Sequence, residues 1–195
     1  MPVYFKYETP ANALALNRIC GDPLLPALVQ WPLDEGGRKM IFIGSISSEL
    51  LNSETSVKIP EGHLLSVFCP FEKNSVDIPI GLARHGAAGC VIHHPVGTPR
   101  SCEELPKISA KLIEKIPSIE TDEDEFSEDL EDKMGGSPNW LQDRIDFSRS
   151  EFVAQFSGMY FEKIFPELKG IFMGGMLYVF FDSKLNQGFI RLQYS

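Results

Sequence analysis

Cys90, His93, His94 and Cys102 place four side chains of metal-ligating type within thirteen residues. In an extended strand Cys90 and His94 share one face while His93 points to the other. Two ligands on one face plus a loop cysteine would make a tetrahedral centre. The spacing fits no standard zinc pattern, however, and a histidine pair built into a strand accounts for the same residues. No metal and no cofactor is assigned. His85, beside Arg84 and the run Gly86-Ala87-Ala88-Gly89, has the small residues of an anion-binding turn but lacks the Gly-Lys-Ser/Thr of a phosphate loop. A Gly-x-Ser-x-Gly elbow and a dinucleotide-binding fingerprint are also missing. Four His and four Cys permit a Cys–His pair, but sequence alone brings no two of them together. The expectation is a protein that is not an enzyme.

A second constellation is electrostatic. Glu120, Asp122, Glu123, Asp124, Glu125, Glu128, Asp129, Glu131 and Asp132 form a run with no Lys or Arg among them. The chain carries 27 acidic and 18 basic residues, so outside these nine the two signs balance and the net charge of −9 is local. Such a run is expected to face water or a cationic partner, because unpaired carboxylates resist burial. As a calcium loop it fails: the fifth position from Asp122 is Phe126 and the sixth Ser127, where an oxygen ligand and a glycine are needed. As an extended strand it would space its charges at about 3.3 Å, near the roughly 3.4 Å of phosphates along one DNA strand. It could therefore occupy the groove of a nuclease in place of substrate. Asp122, Glu123, Asp124, Glu125, Glu128, Asp129, Glu131 and Asp132 are the expected partner contacts, with Phe126 and Leu130, at i,i+4 spacing, as apolar anchors. An acidic pI of 4.9 argues against direct nucleic-acid binding, which needs a basic footprint.

These residues must be positioned by short elements. Fourteen Pro, 16 Gly and 14 Phe in 195 residues favour strands and turns over long helices. Strands are predicted over 39–46, 63–69, 90–94, 152–156, 176–181 and 188–194, with a short helix over 11–17 and another beginning near Ser47. Pro23, Pro26 and Pro32 exclude a central strand from the intervening stretch. Length and composition predict one globular domain. The N-terminus shows no secretory pattern. The longest apolar run, 171–181, is about half of what a membrane span needs. Four irregularly spaced cysteines fit a cytoplasmic protein with reduced thiols.

Two aromatic turn motifs stand out. Gly135-Gly136-Ser137-Pro138-Asn139-Trp140-Leu141-Gln142 combines positive-φ glycines, a stiffening proline and a large apolar anchor. Gly21-Asp22-Pro23, running on to Trp31-Pro32, has the same ingredients in a looser order. Each precedes an apolar strand, so an internal pseudo-repeat is expected, with both turns pinning an aromatic residue into the core. With the strand Gly175-Met176-Leu177-Tyr178-Val179-Phe180, these segments resemble the YwqG-like family of bacterial proteins of unknown biochemical function. The chain departs from that pattern at Cys20, where a second glycine is expected, and at Phe172-Met173-Gly174, where an acidic residue is often found.

The resemblance implies a β-rich α+β fold: one domain over 1–195, with pseudo-repeated halves at roughly 1–110 and 133–195 and the acidic surface segment 119–132 between them. Some family members look like immunity proteins that sit beside toxins delivered between bacteria. The expected function is accordingly a cytoplasmic, non-enzymatic immunity protein. It would neutralise a cognate protein toxin, a nuclease being one option, by occluding its active site, without membrane or nucleic-acid contact, as a monomer or a homodimer. The alternatives are a metal-binding protein or enzyme built on Cys90, His93 and His94, and a small-ligand scaffold whose pocket is lined by Trp31 and Trp140.

Overall fold

In chain order the strands are β1 (Val3–Lys6), β2 (Arg18–Ile19), β3 (Leu24–Leu25), β4 (Ile41–Ser47), β5 (His63–Cys69), β6 (Cys90–Pro95), β7 (Thr98–Pro99), β8 (Lys111–Leu112), β9 (Glu114–Lys115), β10 (Lys133–Met134), β11 (Glu151–Ser157), β12 (Met176–Asp182) and β13 (Gln187–Gln193). The helices are α1 (Ser48–Glu54), α2 (Asp77–His85) and α3 (Gly158–Ile164). This computed structural model describes residues 2–73, 75, 77–85 (backbone alone from 82), 90–116, 132–147 and 149–194.

Among the described residues, eleven strands form one sheet in the order β8-β2-β4-β5-β6-β13-β12-β11-β10-β1-β9. Its two edge strands are separated in sequence by Ile113 alone. Lys111 and Leu112 pair with Ile19 and Arg18, whereas Glu114 and Lys115 pair with Lys6 and Phe5. One five-residue stretch thus draws both ends of the sheet together, and the ring is nearly closed. An almost closed sheet leaves little unpaired edge to recruit another chain. The proline-rich stretch contributes only β3, paired with β7 in a separate two-stranded ladder, as the missing N–H of proline dictates.

Two three-strand sets, β4-β5-β6 and β11-β12-β13, each with a helix directly after its first strand, build most of the ring. β4 bends at a bulge between Phe42 and Gly44, and β11 does so between Phe152 and Ala154. Each ends in a serine at the N-cap of a seven-residue helix. Ser47 Oγ accepts the Leu50 amide at 3.3 Å, so α1 has a side-chain cap. Each set is entered from a two-residue strand: Arg18 lies opposite Ser45, and Lys133 opposite Gln155.

Strand alternation separates two faces. Leu65, Val67 and Cys69 of β5 join Leu177, Val179 and Phe181 of β12 in the main core, together with Phe5, Tyr7, Phe156, Phe161 and Phe165. The opposite faces are covered by the two aromatic turns. Trp140 packs over Phe152, Tyr178 and Phe180, and Trp31 flanks Met40, Phe42 and Phe68.

The helix predicted over 11–17 does not form; that stretch is a series of turns. Asn12 Oδ1 accepts the Leu14 amide at 2.8 Å, and Asn12 O accepts the Ala15 amide at 3.2 Å. A side chain that captures a nearby N–H in this way competes with helical bonding.

A candidate partner-binding seam

β1 is flanked by β9 on one side and β10 on the other. The Ile116 amide donates to Tyr4 O at 2.9 Å, and the Phe5 amide donates to Asp132 O at 3.0 Å. The chain therefore enters and leaves the acidic segment at adjacent residues of a single strand. Asp122, Glu123, Asp124, Glu125, Phe126, Glu128, Asp129 and Glu131 lie outside the described residues. Asp132 is described and belongs to the seam.

Asp132 departs from the expectation that every carboxylate of the run faces outward. It is only 4% exposed, and its Oδ1 accepts the Ser157 amide at 2.5 Å. Its charge also bears on Tyr7, whose hydroxyl is pushed well above its ordinary pKa, first by burial and then by the charge of Asp132 and a hydrogen bond to it. The cause of this burial is local. A strand-to-helix joint leaves an amide that needs an acceptor, and Asp132 supplies one.

A cavity of about 310 Å3 opens at this seam. Tyr4, Ile116 and Tyr160 give it apolar walls, Glu8 and Asp132 contribute carboxylates, and Lys6 is its one cation among the described residues. Lys115, next in line, is held in an ion pair with Glu54. Carboxylates bordered by aromatic faces suit a basic side chain, whose stem packs on the rings while its head meets the charge. Tyr4 and Tyr160 carried no recognisable sequence signal, because they come together only when β1 and α3 meet across the ring.

The other singled-out residues have structural duties. Gly135 and Gly136 both have positive φ, 70° and 64°, as do Cys20 and Gly21, 56° and 77°. The Gly135 amide donates to Val153 O and the Cys20 amide to Ile43 O, each at 2.9 Å. Cys20 thus adopts a left-handed conformation that a glycine would take without strain. Pro23, Pro32 and Pro138 are buried. Trp31 Nε1 donates to Met40 O at 2.8 Å, and the Trp140 ring lies 4.9 Å from that of Tyr178. The turn holding Trp140 is fastened by buried polar groups. The Tyr178 hydroxyl donates to Asn139 O at 2.6 Å, and Gln193 Oε1 accepts the Leu141 and Gln142 amides at 3.0 and 3.1 Å. Gln142 Nε2 donates to Tyr194 O at 2.6 Å.

Trp31 and Trp140 stand on different hydrophobic clusters, so they do not line one pocket together. Cys90 and His94 share a strand face, as expected, but His94 is engaged otherwise. Its Nδ1 lies 2.7 Å from Pro95 O and its Nε2 2.9 Å from Ser66 Oγ. Since a carbonyl only accepts, Nδ1 carries the proton and Nε2 accepts from the serine. His93, on the other face, stacks on His63 at 5.0 Å and meets the edge of Phe181. Among the described residues no three His, Cys, Asp or Glu side chains converge as a metal cage.

A family model described as a domain of unknown function, DUF1963, matches residues 17–175. The chain belongs to the DUF1963 family. The DUF1963 match takes in both aromatic turns, the acidic segment and the seam residues Ile116, Asp132 and Tyr160. It leaves out Tyr4 and Glu8, so the β1 wall of the cavity lies beyond it. No curated protein matches the chain.

Proposed function

We propose that this DUF1963 protein is a non-catalytic binding protein that presents the carboxylates of 120–131 to a cationic protein partner. The observation that carries the reading is the seam. The run holds the whole net charge, and the described residues that bracket it, Ile116 and Asp132, bond adjacent residues of β1 beside a cavity with aromatic walls and two carboxylates. The run would attract the partner over distance, and the cavity would receive one of its Lys or Arg side chains. Electrostatic complementarity of this kind raises association rates and disfavours wrong partners. We read the partner as a toxin, a nuclease being one option, which the protein neutralises as an immunity protein by covering its active site. That part rests on the resemblance to the YwqG-like family.

The same reading treats the chain as one YwqG-like domain of two pseudo-repeated halves. Matching bulges, matching serine-led helices and paired positive-φ residues at 20–21 and 135–136 support it. It places the protein in the cytoplasm, in keeping with four free cysteines. No helix among the described residues is long and apolar enough to cross a membrane.

The test is affinity capture of the tagged protein from its native lysate at low and high salt, with the Tyr160→Ala variant alongside. The reading expects one stoichiometric basic protein, released by salt and retained less well by the variant. Recovery of a salt-insensitive partner, or of none, would contradict it.

A further inference from the structure

A second cleft, of about 610 Å3, lies between the turns that precede β2 and the loop 99–110, and Arg18 lines it. Arg18 opens β2, with Ser45 opposite on one side and Leu112 on the other. Its side chain is 1% exposed. Nη1 donates to Ala13 O at 3.1 Å, whereas Nε and Nη2 find no partner among the described residues.

Which donors are left over matters. Nε–H and the neighbouring Nη2–H form the side-on edge of the guanidinium, two parallel donors at the spacing of two oxyanion oxygens. A buried donor with no acceptor is costly, and here both N–H bonds of that edge lack an acceptor among the described residues. Burial accordingly pulls the Arg18 pKa below its usual value, against the opposing charge of Asp22. Lys107 adds a second cation to the cleft, Ser101 and Ser109 add hydroxyls, and Asp22 is its one carboxylate among the described residues. The cleft is thus net cationic within a protein of net charge −9.

We propose that this cleft binds a small ligand through a carboxylate or phosphate group, which the Nε/Nη2 edge of Arg18 grips side-on while Lys107 holds it at the mouth. The edge is sealed from bulk water, so the oxyanion reaches it by a local shift of the cleft wall. Charge-assisted hydrogen bonds formed there are strengthened by the dry surroundings. The ligand's remaining bulk occupies the cleft between Pro10 and Ile108. This site is separate from the acidic seam and of opposite sign, and its failure would leave the partner reading untouched.

The direct probe is the 15N–1H resonance of the Arg18 side-chain Nε in the full chain. It is titrated with inorganic phosphate in one arm and succinate in the other, at constant ionic strength set with chloride. The proposal expects a saturable shift of that resonance in at least one arm. The arm with the tighter curve assigns the group as phosphate or carboxylate. Lys107→Gln, at an exposed position, is expected to weaken binding several-fold without altering the thermal midpoint of the unliganded protein. Arg18→Lys, which keeps the charge but not the fork, is expected to abolish saturation. If Arg18→Lys does not fold, Lys107→Gln and the wild-type titration still decide. An Arg18 Nε resonance that moves no more with either anion than with chloride would overturn the proposal, as would unchanged affinity in Lys107→Gln.

Discussion

Asp132 holds the backbone amide of Ser157 through Oδ1 at 2.5 Å, at the joint where β11 becomes α3. At the joint between β4 and α1, Asn17 Oδ1 accepts the Ser47 amide at 2.7 Å in the same manner. One joint uses a neutral amide side chain and the other a carboxylate, so the geometry of the acceptor matters there more than its charge. The last residue of the acidic run is therefore part of the scaffold.

That relationship separates two kinds of carboxylate by experiment. Asp132→Asn keeps an acceptor in place and should lower stability by less than about 1 kcal/mol in urea unfolding. Asp132→Ala strands a buried amide and should cost about 1–3 kcal/mol. Equal losses in the two variants would show that charge, not the hydrogen bond, is what the joint requires.

Acid should weaken the fold through β6. The pKa of His93 is lowered by burial first and then by the charges of His63 and His94. That of His94 is lowered by burial, with the Pro95 carbonyl bond opposing and His63 adding to the shift. A histidine whose folded pKa is depressed takes up its proton more readily when unfolded. Stability is thus retained above the unfolded value of 6.5 and declines as pH falls from there to the folded pKa. The ceiling is about 1.4 kcal/mol per pH unit per proton, reduced because His93 is only half-buried and partly screened. Urea midpoints between about pH 7.5 and about pH 5.5 should fall in the wild type and fall less in His93→Gln. Parallel curves for the two proteins would remove His93 from the acid response.

The two tryptophans should differ in worth. Trp140 is 3% exposed and packs among Phe147, Tyr178 and Phe180, so Trp140→Ala should cost about 3–5 kcal/mol. Trp31 is half-buried, and its loss should cost less. Tyr178→Phe removes the hydroxyl that joins Asn139 O to the Leu141 amide, and should cost about 1–3 kcal/mol. Thermal or denaturant unfolding of the three variants checks the order.

The long strands are legible in the sequence because each is a mostly apolar run. His63–Cys69 was delimited to the residue, and Ile41–Ser47, Glu151–Ser157 and Met176–Asp182 to within two. The aromatic turns are legible too, since Gly, Pro and Trp leave a compositional mark. The closure of the ring had no such mark. Lys111–Leu112 and Glu114–Lys115 are two-residue strands, charged at three of their four positions, whose pairing depends on partners about a hundred residues away in sequence. Helix α3, led by Gly158, and the turns centred on Asn12 were hidden for related reasons, because tertiary contacts and side-chain capture outweighed local propensity. Asp132 could not be told from its acidic neighbours, nor Arg18 from an ordinary surface cation, because burial is a property of the assembled fold.

The central claim is that the 120–131 carboxylates meet a cationic partner, and salt dependence tests it most directly. The dissociation constant of the captured partner would be measured from low to high sodium chloride for the wild type and for Asp122→Asn/Glu123→Gln/Asp124→Asn/Glu125→Gln. Exposed pairs contribute about 0.2–1 kcal/mol each, so the account predicts about tenfold or more weaker binding in the variant at low salt, with a flatter salt dependence. Affinities that coincide at every salt concentration would contradict it and take the acidic segment out of the interface.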